Sequence, residues 1–118
     1  LDRYGDIWSG YFVKKVLDHR NECVSVGSPL TRHLRNPHDP LKDLQAEFWG
    51  IVLSDYLCSV LEQIELSANS YADAYLELAA ILQREMQKYE DPKVVSYFQH
   101  IARSMDTWVR IVDKVVGI

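Results

Sequence analysis

Two short stretches of this 118-residue chain carry the side chains best suited to chemistry. The first is Arg3-Tyr4-Gly5-Asp6-Ile7-Trp8-Ser9-Gly10. A carboxylate at a helix start, between two glycines and beside an aromatic ring, can receive hydrogen bonds from sugar hydroxyls or take a proton as a general base. The indole of Trp8 can offer an apolar face to a sugar ring. The same residue types also have a plain structural reading, in which Asp6 caps the helix and Trp8 belongs to the core. The second stretch gathers Arg32, His33, Arg35, His38 and Asp39. A neutral imidazole nitrogen of His33 suits a divalent metal, and the forked donors of Arg32 and Arg35 suit a diphosphate. A polar surface loop has the same composition. The interval from His33 to His38 matches no metal signature, and neither a glycine-rich phosphate loop nor a nucleophilic-serine elbow occurs.

The elements that must position these groups are mostly helical. A first helix is expected from Asp6, with its carboxylate as cap, to about Arg20, presenting Trp8, Phe12 and Val16 at four-residue steps. Gly10 in its first turns costs about 1 kcal/mol relative to alanine, and such a glycine often admits a neighbouring backbone or a ligand. After a turn at Asn21-Glu22, Cys23-Val24-Ser25-Val26 alternates in β fashion and stops at Gly27-Ser28-Pro29, with a second extended piece over Leu30-Thr31-Arg32-His33-Leu34. Two short strands make no stable sheet alone. They read as the edge of a sheet whose other strands lie elsewhere.

The loop Arg35-Asn36-Pro37-His38 leads to a second helix, capped by Asp39 with Pro40 in its first turn. Its apolar positions are Leu44, Phe48, Ile51, Leu57, Val60, Leu61 and Ile64, and Gly50 is a point at which it can bend or end. Ser70 caps a third helix with the stripe Tyr71, Tyr75, Leu78, Leu82 and Tyr89. Asp91-Pro92 repeats the cap-plus-proline start. The last helix then places Val94, Phe98, Ile101, Met105, Trp108, Val112 and Val115 in a heptad-like seam. The seam packs inside the domain or against a missing neighbour, or makes a homo-oligomer through the last helix. His19 and His100 fall on helices and are expected in solvent.

Hydrophobic residues make up 47% of the chain and charged residues 25%, the balance of a folded globular domain. A net charge of −4 with no basic tract argues against nucleic-acid binding. No apolar run approaches the roughly 20 residues of a transmembrane segment. Cys23 and Cys58 lack metal-ligand spacing and read as free buried thiols in a reducing cytosol. The chain starts at Leu1 with a helix following almost at once, as expected of a piece cut from a longer polypeptide.

Taken in order, these clusters resemble the C-terminal part of the reversibly glycosylated polypeptide family, which includes UDP-arabinopyranose mutases. The likeness rests on Arg3-Tyr4-Gly5-Asp6-Ile7-Trp8-Ser9-Gly10, where the family typically shows Arg-Tyr-Asp-Asp-Met-Trp-Ala-Gly. It continues through Val13-Lys14, Asp18-His19, Gly27-Ser28-Pro29 with His33, and Asn36-Pro37. Leu44-Gln45-Ala46-Glu47-Phe48-Trp49-Gly50, Tyr75-Leu76-Glu77-Leu78-Ala79 and Met105-Asp106-Thr107-Trp108 complete it.

The resemblance implies a chain that is mainly α with a short β element, the helical C-terminal region of an α/β nucleotide-sugar glycosyltransferase fold. Residues 1–40 would end the α/β domain and residues 41–118 form the helical region. It implies Asp6 as the catalytic carboxylate, substrate contacts from Trp8, Gly10, Arg32 and Arg35, and His33 toward a metal. The complete protein would use a nucleotide sugar and a divalent metal (Mn or Mg). No cofactor is expected for this segment alone, which has neither an Asp-x-Asp motif nor a nucleotide-binding half and should be inactive until joined to that half or to a partner chain. Gly5 stands where the family has the first of two paired aspartates. The setting implied is cytoplasmic, or Golgi-associated. An alternative from another class is a non-catalytic helical module for protein–protein interaction or oligomerisation.

Overall fold

The computed structural model describes residues 3–117, arranged as four helices. These are α1 (Gly5–His19), α2 (Pro40–Gln63), α3 (Tyr71–Met86) and α4 (Pro92–Val116). The caps that start three of them follow directly from sequence. Asp39 Oδ1 accepts from Leu41 N at 3.0 Å, Ser70 Oγ accepts from Asp73 N at 3.0 Å, and Asp91 Oδ1 accepts from Lys93 N at 2.8 Å. Proline follows both aspartates, where its missing donor costs nothing. α4 stops at Gly117, whose φ of 70° closes the helix in the left-handed conformation. The first helix departs from expectation. It begins at Gly5 with no side-chain cap, and Asp6 sits inside the first turn, its carboxylate accepting from the neighbouring Ile7 N at 2.9 Å.

α3 and α4 form the principal pair, with α1 laid against α3 and α2 touching both α1 and α3. Trp8, Phe12 and Val16 of α1 share one core with Leu53, Leu57 and Leu61 of α2, Leu78 and Leu82 of α3, and Val94, Phe98 and Met105 of α4. The expected seam of α4 is buried as far as Met105. Beyond it Trp108 and Val115 are exposed, because α4 has 25 residues against 16 in α3 and outruns its neighbour.

Two expectations are corrected. Among the described residues there is no strand: residues 23–39 run exposed and without regular structure, Val26 and Leu30 almost wholly open to solvent. A strand needs a paired ladder, and nothing here supplies one. In α2 the buried face is Gly50, Leu53, Leu57 and Leu61, while Leu44, Phe48 and Ile51 point outward. The apolar residues of α2 surround most of its circumference, so their spacing cannot say which side turns inward. Cys23 is exposed and Cys58 half-buried, both as free thiols.

α2 continues through Gly50, and the glycine serves a close approach. A Cβ built there would lie 2.1 Å from ring atoms of Tyr4. Gly50→Ala should therefore destabilise the fold by about 1–3 kcal/mol through overpacking, although alanine favours an isolated helix by about 1 kcal/mol. Urea denaturation checks this, and a gain in stability would mean that Tyr4 swings away freely.

The Tyr75-Leu76-Glu77-Leu78-Ala79 run carries a structural clamp. Glu77 accepts from Ser67 Oγ at 2.7 Å and from Ser67 N and Ala68 N, each at 2.9 Å, pinning the link between α2 and α3. These bonds, Ser67 foremost, hold its carboxyl below the ordinary carboxylate range. His19 bonds through Nε2 to the Ala68 carbonyl at 2.7 Å, so it is half-buried rather than free in solvent.

Candidate functional site

The start of α1, the end of the extended segment and the first turns of α2 enclose an open cleft of about 890 Å³. Asp6 reaches it from α1, His33 and Arg35 from the extended segment, and His38, Asp43 and Glu47 from around the α2 cap. The Asp39-Pro40 start is what brings this about. It fixes the direction of α2 at the point where the loop turns in, and so sets His38 against Asp43 one turn later.

Asp43 is the hub. Its Oδ1 takes a charged hydrogen bond from Arg3 Nη1, and its Oδ2 lies 2.6 Å from His38 Nδ1. The His38 bond first, and Arg3 after it, hold the Asp43 carboxyl below its ordinary value of 3.8. An ionised carboxylate only accepts, so Nδ1 of His38 is the donor. Asp43 thus orients one imidazole at the rim of the cleft.

The cleft therefore assembles four of the residues singled out from sequence: Asp6, His33, Arg35 and His38. Gly10 lies outside it on an exposed part of α1, with no neighbour near the place of a Cβ, and the exposed Arg32 is not among its lining. Trp8 is elsewhere altogether. Its indole is 1% exposed, stacks on Phe98 at 5.5 Å and donates Nε1–H to Ser54 Oγ at 3.1 Å. The sugar-platform reading of Trp8 is corrected accordingly, since both faces of the ring are spent on the core. Residue types alone gave Arg3 no role and missed Asp43 and Glu47. Arg3 and Asp43 are 40 residues apart and no local pattern couples them.

The charges in the cleft are mixed. Arg3 and Arg35 face Asp6, Asp43 and Glu47, and Arg3 is already committed to Asp43. Such a lining suits a neutral, hydroxyl-rich ligand better than a bare polyanion, because the cation left over is a single guanidinium. Among the described residues no group of three or more His, Cys, Asp or Glu is placed to hold a metal ion. His33 by itself is one donor and does not make a metal site. No helix of the described residues is long and apolar enough to cross a membrane.

A family model described as "Reversibly glycosylated polypeptide" matches residues 1–117. UDP-arabinopyranose mutase 2 of Arabidopsis thaliana is 28% identical over 116 residues, covering 97% of this chain and 31% of that protein. UDP-arabinopyranose mutase 3 of the same plant is 31% identical over 111 residues, covering 92% and 29%. UDP-arabinopyranose mutase 1 of Oryza sativa subsp. japonica is 28% identical over 116 residues, covering 97% and 30%. The chain thus spans about 30% of the length of these relatives. No solved structure matches it.

Proposed function

This chain belongs to the reversibly glycosylated polypeptide family, and from that premise we propose that it is one segment of a UDP-sugar mutase or nucleotide-sugar glycosyltransferase, lending one wall of the active site. The observation that carries the reading is the cleft in which Asp6 meets His33 and Arg35, distant from it in sequence, beside the Arg3–Asp43–His38 cluster. In the complete protein Asp6 receives a sugar or acceptor hydroxyl, as hydrogen-bond partner or as general base. Arg35 gives the cleft its one uncommitted guanidinium and faces the diphosphate side of the ligand.

The mixed charge of the lining supports a sugar here, with most of the diphosphate held outside this chain. A divalent metal of the complete protein would be bound by groups outside this segment as well, with His33 able to offer one nitrogen. Sugar transfer by the complete protein carrying Asp6→Asn tests the reading, and unchanged transfer overturns it.

A second reading rests on a different surface. Trp108, Ile111 and Val115 leave an exposed apolar strip where α4 outruns α3, beside an apolar groove of about 260 Å³ lined by Val13, Leu17, Tyr71 and Tyr75. This favours a helical association module. If it holds, equilibrium sedimentation shows a concentration-dependent dimer that Trp108→Asp dissociates at least tenfold more readily, a loss of about 1.4 kcal/mol or more. A chain that is monomeric with either residue removes this reading.

A further inference from the structure

We infer that the pocket between Trp49 of α2 and the facing side of α4 is a second binding site, for a soluble, ring-bearing phosphate monoester such as a sugar phosphate. The inference stands apart from the proposed function and uses none of the residues that line the cleft.

Position comes first. The pocket encloses about 430 Å³ and is lined by Trp49, Lys93, Ser96, Tyr97, His100 and Arg103. That volume is within the range of small-molecule sites. Lys93, Tyr97, His100 and Arg103 follow one another at steps of four and three, and so share one face of α4. Trp49 comes two residues after Glu47, which lines the cleft, so the two side chains leave α2 about 200° apart. The pocket and the cleft therefore lie on opposite sides of α2.

Charge comes second. The chain carries a net charge of −4, yet three basic side chains line this pocket and, among the described residues, no carboxylate does. The carboxylates that flank the set in sequence are committed elsewhere. Asp91 Oδ1 accepts from Lys93 N at 2.8 Å in capping α4, and the two oxygens of Asp106 accept from Arg110 at 2.6 and 3.1 Å. Among the described residues the side chains of Lys93, His100 and Arg103 have no hydrogen-bond or ion-pair partner, and all three are exposed. The cleft mixes charges, whereas this pocket presents donors of one sign. A phosphate monoester supplies what they lack, a compact dianion with three acceptor oxygens. The guanidinium fork takes two of them, and the ammonium and imidazole N–H groups take the third.

The walls supply the ring requirement. Trp49 and Tyr97 are half-buried. Tyr97 is braced edge-on against Trp8 at 5.9 Å and Phe98 at 5.5 Å, and Trp49 edge-on against Phe48 at 5.9 Å. Aromatic surfaces held in this way suit the apolar face of a ligand ring. The Ser96 hydroxyl can meet a ligand hydroxyl. Inorganic phosphate would leave both features unused.

Two-dimensional NMR tests this on the chain itself, whose four helices share one core. Its three tryptophans give one indole N–H signal each. At constant ionic strength, glucose 1-phosphate should move the Trp49 indole and the amides around His100 and Arg103 saturably, leaving the Trp8 and Trp108 indoles in place. Inorganic phosphate should bind at least about tenfold more weakly, and free glucose should not bind. Arg103→Gln and Lys93→Gln should each weaken glucose 1-phosphate about tenfold at an unchanged melting temperature, because both side chains are exposed. Arg35→Gln, in the cleft, should leave the affinity as it was. The inference is overturned by the absence of a saturable shift, or by affinity that depends on Arg35 and not on Arg103. Inorganic phosphate binding as tightly as the ester removes the role of the rings, and free glucose binding as tightly removes that of the cations; either result overturns it. Retention on phosphatidic acid vesicles without a response to glucose 1-phosphate also overturns it, in favour of a lipid surface. Sugar transfer plays no part in these readouts, so failure here leaves the role of Asp6 untouched.

Discussion

Trp8→Ala should lower the stability of the fold by about 3–5 kcal/mol, the range found when a large aromatic is deleted from a packed core. The indole has partners on two other helices at once. It stacks on Phe98 of α4 with centroids 5.5 Å apart, meets Tyr97 edge-on at 5.9 Å, and bonds to Ser54 of α2. Ser54 in turn donates to the Gly50 carbonyl at 2.6 Å, under the ring of Tyr4. Removal therefore opens a cavity and strips one partner from a half-buried hydroxyl. Trp8→Phe keeps most of the apolar contact and loses the N–H, so it should cost only about 1–2 kcal/mol. Urea denaturation of the three proteins gives the comparison. A loss below about 1 kcal/mol for Trp8→Ala would mean that α1 is held by something other than its aromatic core.

The contrast between what was legible in the sequence and what was not follows the range of the forces involved. Asp39-Pro40, Ser70 and Asp91-Pro92 announce helix starts because a cap is an interaction within three residues. The stripe Trp8, Phe12 and Val16 is readable because large apolar residues recur there at four-residue steps, along one helix face. α2 defeats the same method, since apolar side chains cover both its inward and outward sides and only its neighbours decide between Leu53 and Phe48. Gly50 looked like a break because nothing nearby in sequence reveals that Tyr4 will lie upon it. The alternation from Val24 to Leu34 is a strand signal with no sheet in the described residues to receive it. In the cleft, Asp6, His33 and Arg35 stood out by chemical type. The groups that organise its rim, Arg3 and Asp43, did not, because a salt bridge across 40 residues leaves no local trace.

Asp6→Asn should reduce sugar transfer by the complete protein about 10²- to 10⁴-fold, the usual contribution of a positioned proton acceptor, while hardly changing its stability. The separation is possible because of how little Asp6 does for the fold. It is exposed, it does not cap α1, and among the described residues its carboxylate accepts one hydrogen bond, from Ile7 N. What remains structurally is a negative charge in the first turn, favourable with the helix dipole by about 0.3–1 kcal/mol. Asparagine keeps the shape and an acceptor oxygen, and removes the charge and the basicity. A carboxylate that serves only the dipole would thus show the small stability loss and full transfer. One that merely binds a hydroxyl would show a raised KM with kcat retained, because asparagine still accepts. A fall in kcat at unchanged melting temperature leaves proton transfer as the role. The same comparison on Asp43→Asn, which frees His38 and Arg3 together, should weaken binding and melting in parallel, since that carboxylate builds the cleft rather than entering it.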